Sequence, residues 1–219
     1  MKIFLDTANI QEIKEAAQMG IIDGITTNPT LLAKESGKDL QAIASEIIRL
    51  VDGPISLEVI SQKAEEMLEE GKKLFELSKK HVVIKVPMCE EGLRAIRMFR
   101  FHKIPTNCTL IFSANQGLLA AKAGATYISP FIGRLDDIGE DGMVLLENLV
   151  SIIDFYGFET QIIAASIRHP LHVTQCTMIG SHIATVPYSV LKKMFYHPMT
   201  TKGIDTFKQD WDKFIKASQ

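Results

Sequence analysis

Cysteine is scarce and does not pair by spacing. Cys89, Cys108 and Cys176 are the only three. Their odd number and lack of a Cys-x-x-Cys argue against a disulfide framework or a cysteine-built zinc site, and they read as reduced thiols in or near a core. No apolar run approaches the ~20 residues of a membrane span. The opening "MKIFLDTANI" reaches Asp6 before the apolar region of a signal peptide could form, so a cytoplasmic protein is expected. Neither sign of charge dominates: 24 Lys and Arg against 26 Asp and Glu leave a formal charge of −2. That balance argues against nucleic acid or a membrane surface as the main partner. His169 and His172 in "RHPLH" stand three apart without a third ligand nearby. The acidic run "LDDIGEDG" (135–142) lacks the alternation of a calcium loop and reads as a solvated loop. No metal and no cofactor is expected. No Pro/Gly/Ser-rich linker divides the 219 residues, and no G-x-G-x-x-G follows the first apolar run.

What is present is alternation. Short apolar runs of strand type occur at 2–5, 24–27, 55–59, 82–86, 106–112, 126–131, 161–166 and 183–186, with helix-type stretches between them. "QEIKEAAQMG" ends on Gly20, suited to a helix C-terminus. "DLQAIASEIIRLVDG" opens on Asp39, suited to an N-cap. Strand–helix alternation implies right-handed crossovers and a parallel sheet. Eight such units over residues 1–219 predict an α/β chain of one (β/α)₈ barrel domain, with an open doubly wound sheet as the alternative. A further helix is expected over 200–217. Its Ile204, Phe207, Trp211, Phe214 and Ile215 form one stripe, which would face either its own barrel or a neighbouring subunit.

In such barrels the site lies at the C-terminal ends of the strands. The polar residues there are Asp6, Asn28, Glu58, Lys85, the pair Asn107 and Thr109, Ser129 with Phe131 beside it, Arg134, Ser166 and Arg168. Several have ordinary alternatives. Asp6 could cap a helix, Asn28 before Pro29 could serve a turn, and Thr109 and Ser129 could satisfy backbone groups. Arg134 and Arg168 could pair with surface acids. Lys85 is different, because "VVIKVP" reads as a central strand and a buried ammonium is costly unless paired or deprotonated. Desolvation favours the neutral amine, which attacks a ketone, expels water and forms an imine. The protonated imine is an electron sink for making or breaking a C–C bond. Glu58, through a water held by Thr109, is the candidate acid/base, and Asp6 could take a proton from a substrate hydroxyl. Two carboxylates oppose the lysine's neutrality, so desolvation must win or one carboxyl must be protonated. Arg134, Ser166 and Arg168 suit a phosphate monoester, so a phosphorylated sugar or aldehyde is expected.

The motifs "FLDTAN", "GITTNPTLL", "EV", "VIKVP", "TNCTLIFS", "GATYISPFIGRLDD" and "AASIRHP", in this order and spacing, resemble the short transaldolases, a group shared with fructose-6-phosphate aldolases. The resemblance runs from residue 1 to the "DW" near 210. It implies a (β/α)₈ barrel that moves a dihydroxyacetone unit from a ketose phosphate to an aldose phosphate through a Schiff base, in the non-oxidative pentose phosphate pathway. It implies Lys85 as the imine lysine, Asp6 as base at the C4 hydroxyl, and Glu58 with Thr109 holding the catalytic water. Asn28, Asn107 and Ser129 would bind the dihydroxyacetone portion, and Arg134, Ser166 and Arg168 the phosphate. It implies a homo-oligomer, a ring-shaped pentamer or a decamer, with the last helix reaching a neighbour. The aldolase members resemble this chain but carry Tyr at the place of Phe131 and Gln at the place of Glu58. Transfer is therefore the expected reaction. Release of free dihydroxyacetone, and a non-catalytic sugar-phosphate-binding barrel, are the alternatives.

Overall fold

Each of the eight apolar runs forms a strand in a computed structural model, which describes residues 1–35, 37 and 39–217. The strands are β1 (Lys2–Asp6), β2 (Gly24–Thr26), β3 (Ile55–Glu58), β4 (Val82–Pro87), β5 (Thr106–Ile111), β6 (Tyr127–Pro130), β7 (Gln161–Ala164) and β8 (Ile183–Val186). All pair in parallel with their sequence neighbours, and β8 returns to β1 to close the barrel. Around it lie α1 (Ile10–Gln18), α2 (Pro29–Leu32), α3 (Leu40–Leu50), α4 (Ala64–Phe75), α5 (Glu90–Phe101), α6 (Ala114–Ala123), α7 (Ile132–Asp136), α8 (Gly142–Tyr156), α9 (Pro170–Ile179) and α10 (Tyr188–Met194). The chain is thus a single (β/α)₈ barrel, with a C-terminal helix α11 (Pro198–Ala217) beyond it.

Helix starts follow local chemistry. Asn9 caps α1, its side-chain oxygen accepting the N–H groups of Gln11 and Glu12. Asp6 is therefore not the cap, and it stays available to the barrel interior. Asp39 caps α3 through the Ala42 N–H at 2.7 Å, as expected. Gly20 follows α1 with φ +67°, a conformation in which a side chain would be strained.

Parallel strands covered on both faces read as continuous apolar runs, and two separate clusters explain why. Leu5, Ile25, Leu57, Ile84, Val86, Ile128 and Ile162 pack outward against the helices. Phe4, Ile163 and Ile183, with Tyr127 against them, fill the barrel interior. Gly24 makes room for that plug, since a Cβ there would lie 2.7 Å from the Phe4 ring. Truncating Phe4 to Ala would cost about 3–5 kcal/mol.

Strand residues two apart share a face. One step above the plug, the same inward face carries polar side chains: Asp6 follows Phe4, Thr26 follows Gly24, Ser129 follows Tyr127 and Thr185 follows Ile183. The alternation of apolar floor and polar ceiling is what opens a site at the C-terminal end.

The structure departs from the sequence reading in particular places. Two short helices, α2 and α7, were not expected. β7 ends at Ala164, so Ser166 lies past the strand, with φ +63°. "LDDIGEDG" is not simply a solvated loop. Asp136 accepts the Gly142 N–H at 2.9 Å, and Asp141 caps α8 through the Met143 N–H at 2.9 Å. Cys108 and Cys176 are buried, and burial pushes both thiols up to about 12, but Cys89 is exposed at the start of α5. No residue of α11 is buried, so the stripe does not pack on its own barrel.

Candidate active site

Sheet register builds one wall of the site. Glu58 stands opposite Lys85, and Lys85 opposite Asn107, across β3, β4 and β5. Parallel partners point the same way, so the three side chains share the interior face. Lys85 is 5% exposed. Its Nζ lies 3.1 Å from Glu58 Oε2 and donates to the Thr27 carbonyl at 3.0 Å. Thr27 is held in turn by its own hydroxyl, which donates to the Ser56 carbonyl at 2.9 Å. The buried ammonium therefore has a carboxylate and a carbonyl as partners, which is what makes such a position tolerable.

Asp6 closes β1 on the same face and accepts the Thr26 hydroxyl at 2.7 Å; Thr26 and Thr185 hydroxyls lie 2.6 Å apart. Burial pushes the Asp6 carboxyl above its ordinary 3.8; the Lys85 charge and the Thr26 hydroxyl oppose this, and Glu58 adds to it. The Asp6 carboxyl is thus shifted toward the protonated form. Asn107 is fully buried, donates to Ser56 Oγ at 3.2 Å and accepts the Ser129 hydroxyl at 2.7 Å. Thr109 stands two residues beyond Asn107, opposite Pro87. The β5–β6 register shifts just after it, where Leu110 takes φ +61°. Bulges next to sites re-aim side chains. The Thr109 hydroxyl is buried with no hydrogen-bond partner, an uncommon state for such a group.

The facing wall is built from helix starts and loops. The Phe131 ring meets Phe112 edge-on at 5.7 Å, and the Arg134 guanidinium lies 5.0 Å above the Phe131 ring centre. Arg134 sits on α7, which Gly133 lets approach the segment after β7. A Cβ at Gly133 would fall 2.0 Å from the Ser166 carbonyl and 2.8 Å from Arg168 Cγ. Arg168 is half exposed and donates to Asp137 at 2.6 Å, so the surface-acid alternative for it is real. Asn28 serves two ends at once: its side chain caps α2 through the Leu31 N–H at 3.0 Å, and it lines the pocket.

Between the walls is a pocket of about 200 Å³. Asp6, Asn28, Lys85, Ser129, Phe131, Arg134, Ser166 and Arg168 line it. Glu58 and Asn107 reach it through Lys85 and Ser129, while Thr109 stays buried on β5. Thr26, Thr30, Leu31, Ala165 and Thr185 also line the pocket and were not anticipated. Thr26 was reachable from sequence, because it stands two before Asn28 on a strand. Thr185 was too, as the polar residue of "IATV". Among the described residues, no three His, Cys, Asp or Glu side chains gather as a metal site. No described helix is long and apolar enough to cross a membrane. An amine with a carboxylate at contact, a second carboxyl shifted upward, and guanidinium groups across a small cavity can support amine–carbonyl chemistry on an anionic substrate.

Residues 3–218 match the family model described as Transaldolase/Fructose-6-phosphate aldolase. Proteins named "Probable transaldolase" are similar over nearly the whole length. That of Alkaliphilus metalliredigens is 56% identical, covering 99% of this chain and 100% of the relative. Those of Clostridium tetani and Methanococcus maripaludis are 55% and 53% identical with the same coverage. A solved structure of a mandelate oxidase mutant with a monooxide FMN adduct superposes with a TM-score of 0.57 at 15% identity. It covers 85% of this chain and 63% of that one, a likeness of fold alone.

Proposed function

We infer the reaction from one premise, that the chain belongs to the transaldolase/fructose-6-phosphate aldolase family. Within it, the reading best supported is a transaldolase. It would move a dihydroxyacetone unit from fructose 6-phosphate or sedoheptulose 7-phosphate to an aldose phosphate, as in the non-oxidative pentose phosphate pathway. The observation that carries this reading is the buried Lys85–Glu58 contact at 3.1 Å, at the edge of a pocket that also holds Asp6 and two arginines.

In this reading, Lys85 Nζ attacks the C2 carbonyl. Glu58 supplies the proton with which the carbonyl oxygen leaves as water, through a water that the otherwise unpartnered Thr109 hydroxyl holds. Asp6 takes the proton of the C4 hydroxyl. The C3–C4 bond breaks, its electron pair is held as an enamine on Lys85, and the aldose phosphate leaves. An upward-shifted carboxyl is a stronger base when ionised, so burial of Asp6 suits that step. Asn28, Asn107 and Ser129 would bind the dihydroxyacetone hydroxyls. Arg134, Ser166 and Arg168 would hold the phosphate, with guanidinium groups matching its oxygens. Phe131 offers no hydroxyl to protonate the enamine, so the enamine waits for an aldehyde acceptor.

Borohydride reduction with fructose 6-phosphate should fix a mass adduct on Lys85, and its absence overturns the imine route. Transfer to erythrose 4-phosphate should far outpace release of free dihydroxyacetone. If the two run equally fast, the aldolase reading replaces this one. Phe131→Tyr should raise the release rate. The exposed stripe of α11, with Phe207, Trp211 and Phe214, further supports a homo-oligomer in which that helix lies on a neighbouring subunit. Light scattering tests it, and a strict monomer contradicts it.

A further inference from the structure

His172 lies between the segments that carry the two arginines. It stands in the first turn of α9 and is 4% exposed. Its Nε2 is 2.9 Å from Asp136 Oδ2 on α7, two residues past Arg134. Its Nδ1 accepts the backbone N–H of Arg168 at 3.3 Å. The tautomer follows from these partners: Nδ1 must carry its lone pair, so the proton sits on Nε2 and is donated to Asp136. The backbone of His172 is fixed as well, its N–H donating to His169 Nδ1 at 3.3 Å, with the two rings 3.8 Å apart.

We propose that His172 is a positioning residue: by bridging Asp136 and the Arg168 backbone, it sets the spacing of Arg134 and Arg168 and so the affinity for the substrate phosphate. This rests on the reading of Arg134, Ser166 and Arg168 as the phosphate pocket. It also makes the affinity acid-sensitive. A second proton on the ring would put an N–H at Nδ1, facing the Arg168 N–H, donor against donor. The charged groups facing the ring are Asp136 on α7, His169 at the start of α9 and Arg168 before it. Burial pushes its pKa below 6.5, His169 and Arg168 push the same way, and Asp136 opposes them. The bridge therefore holds at neutral pH and opens in more acidic solution.

His172→Asn keeps an acceptor near Nδ1 and loses the reach to Asp136; His172→Gln does the reverse. Each should raise KM for fructose 6-phosphate roughly tenfold, the effect of about one hydrogen bond, with kcat within about twofold. With free fructose, KM should move far less. Below pH 6.5 the wild type should show a rise in KM for fructose 6-phosphate beyond that of either variant, since titration of the substrate phosphate is common to all three. An unchanged KM for fructose 6-phosphate, or an equal loss with free fructose, overturns the proposal. Arg168→Ala separates the two readings. If it leaves KM for fructose 6-phosphate unmoved, the phosphate pocket itself is wrong. If it raises KM while the His172 variants do not, only the positioning role falls. Should both variants fail to fold, nitrogen NMR of the histidine-labelled wild type still decides: a proton on Nδ1 at neutral pH overturns it.

Discussion

The two walls of the pocket are made by different means. On the wall of β1, β3, β4 and β5, side chains leave strands at heights set by sheet register, and three of them meet a partner within the barrel: Lys85 meets Glu58, Asp6 meets Thr26, and Asn107 meets Ser129. On the facing wall, Arg134 and Arg168 leave a short helix and a loop. Their positions depend on a ring, a glycine and an exposed carboxylate: Phe131, Gly133 and Asp137. Register holds a side chain to fractions of an ångström, as bond making requires. A phosphate can be held by long, half-exposed arms. The division of labour proposed here follows that difference in stiffness, and it can be broken.

The largest effect should come from the stiff wall. Lys85→Ala should lower kcat by roughly 10⁴–10⁶-fold, the scale for losing a catalytic nucleophile, and abolish the borohydride adduct. Arg134→Ala should instead raise KM for fructose 6-phosphate by about 10–100-fold, the scale of hydrogen bonds to a charged group, and leave kcat within a few-fold. Steady-state kinetics distinguishes them. If Arg134→Ala lowers kcat as deeply as Lys85→Ala, the walls do not divide chemistry from anchoring. Next in size is the joint between α7 and the segment after β7. Gly133→Ala puts a methyl 2.0 Å from the Ser166 carbonyl, and backbone cannot yield as a flexible side chain can. A loss of about 1–3 kcal/mol is expected in denaturant unfolding. A rise in KM for fructose 6-phosphate should accompany it, with little change in KM for free fructose. Equal changes with both substrates would mean that the joint serves the whole barrel rather than one wall.

The same contrast governs what could be read from the chain alone. The strand wall was legible because a polar residue in a buried strand violates the local pattern. Lys85 in "VVIKVP" and the Asn107/Thr109 pair declare themselves, and the i, i+2 rule puts them on one face. Its chemistry was less legible: that Lys85 would meet Glu58 at contact, or that burial would lift Asp6, depends on neighbours 27 and more positions away in "FLDTAN", "ISLEV" and "VVIKVP". The loop wall carried weaker signals. Arg134 and Arg168 look like surface arginines, and Arg168 does hold a surface acid. The short α7 has too few residues to show a period. Nothing local marks Gly133 as a contact glycine or Ser166 as left-handed, since both follow from two segments meeting across 33 residues. The role of His172 was hidden for the same reason, and "RHPLH" suggested only a metal pair lacking its third ligand.

The smallest effect expected separates the walls by stability rather than rate. Asp6 has its carboxyl raised above 3.8, so its ionised form is disfavoured in the folded chain relative to the unfolded one. The sign follows from linkage. Below about 3.8 the group is protonated in both states and contributes nothing. Between 3.8 and the raised folded value the unfolded chain ionises while the folded chain keeps its proton, so stability is lost over that window and the loss is complete above it. Asp6→Asn removes that cost while keeping an oxygen for the Thr26 hydroxyl. It should be inactive yet more stable at neutral pH, by about 1 kcal/mol, or roughly 2–4 °C in Tm for a chain of this size. The gain should shrink to nothing toward pH 3.8. Arg168→Ala, which breaks the exposed pair with Asp137, should change stability by less than about 1 kcal/mol at either pH. Melting curves of both variants across that range decide the matter. If Asp6→Asn instead lowers Tm at neutral pH, attraction to Lys85 outweighs burial, and the strand wall is stabilised by its charges rather than strained by them.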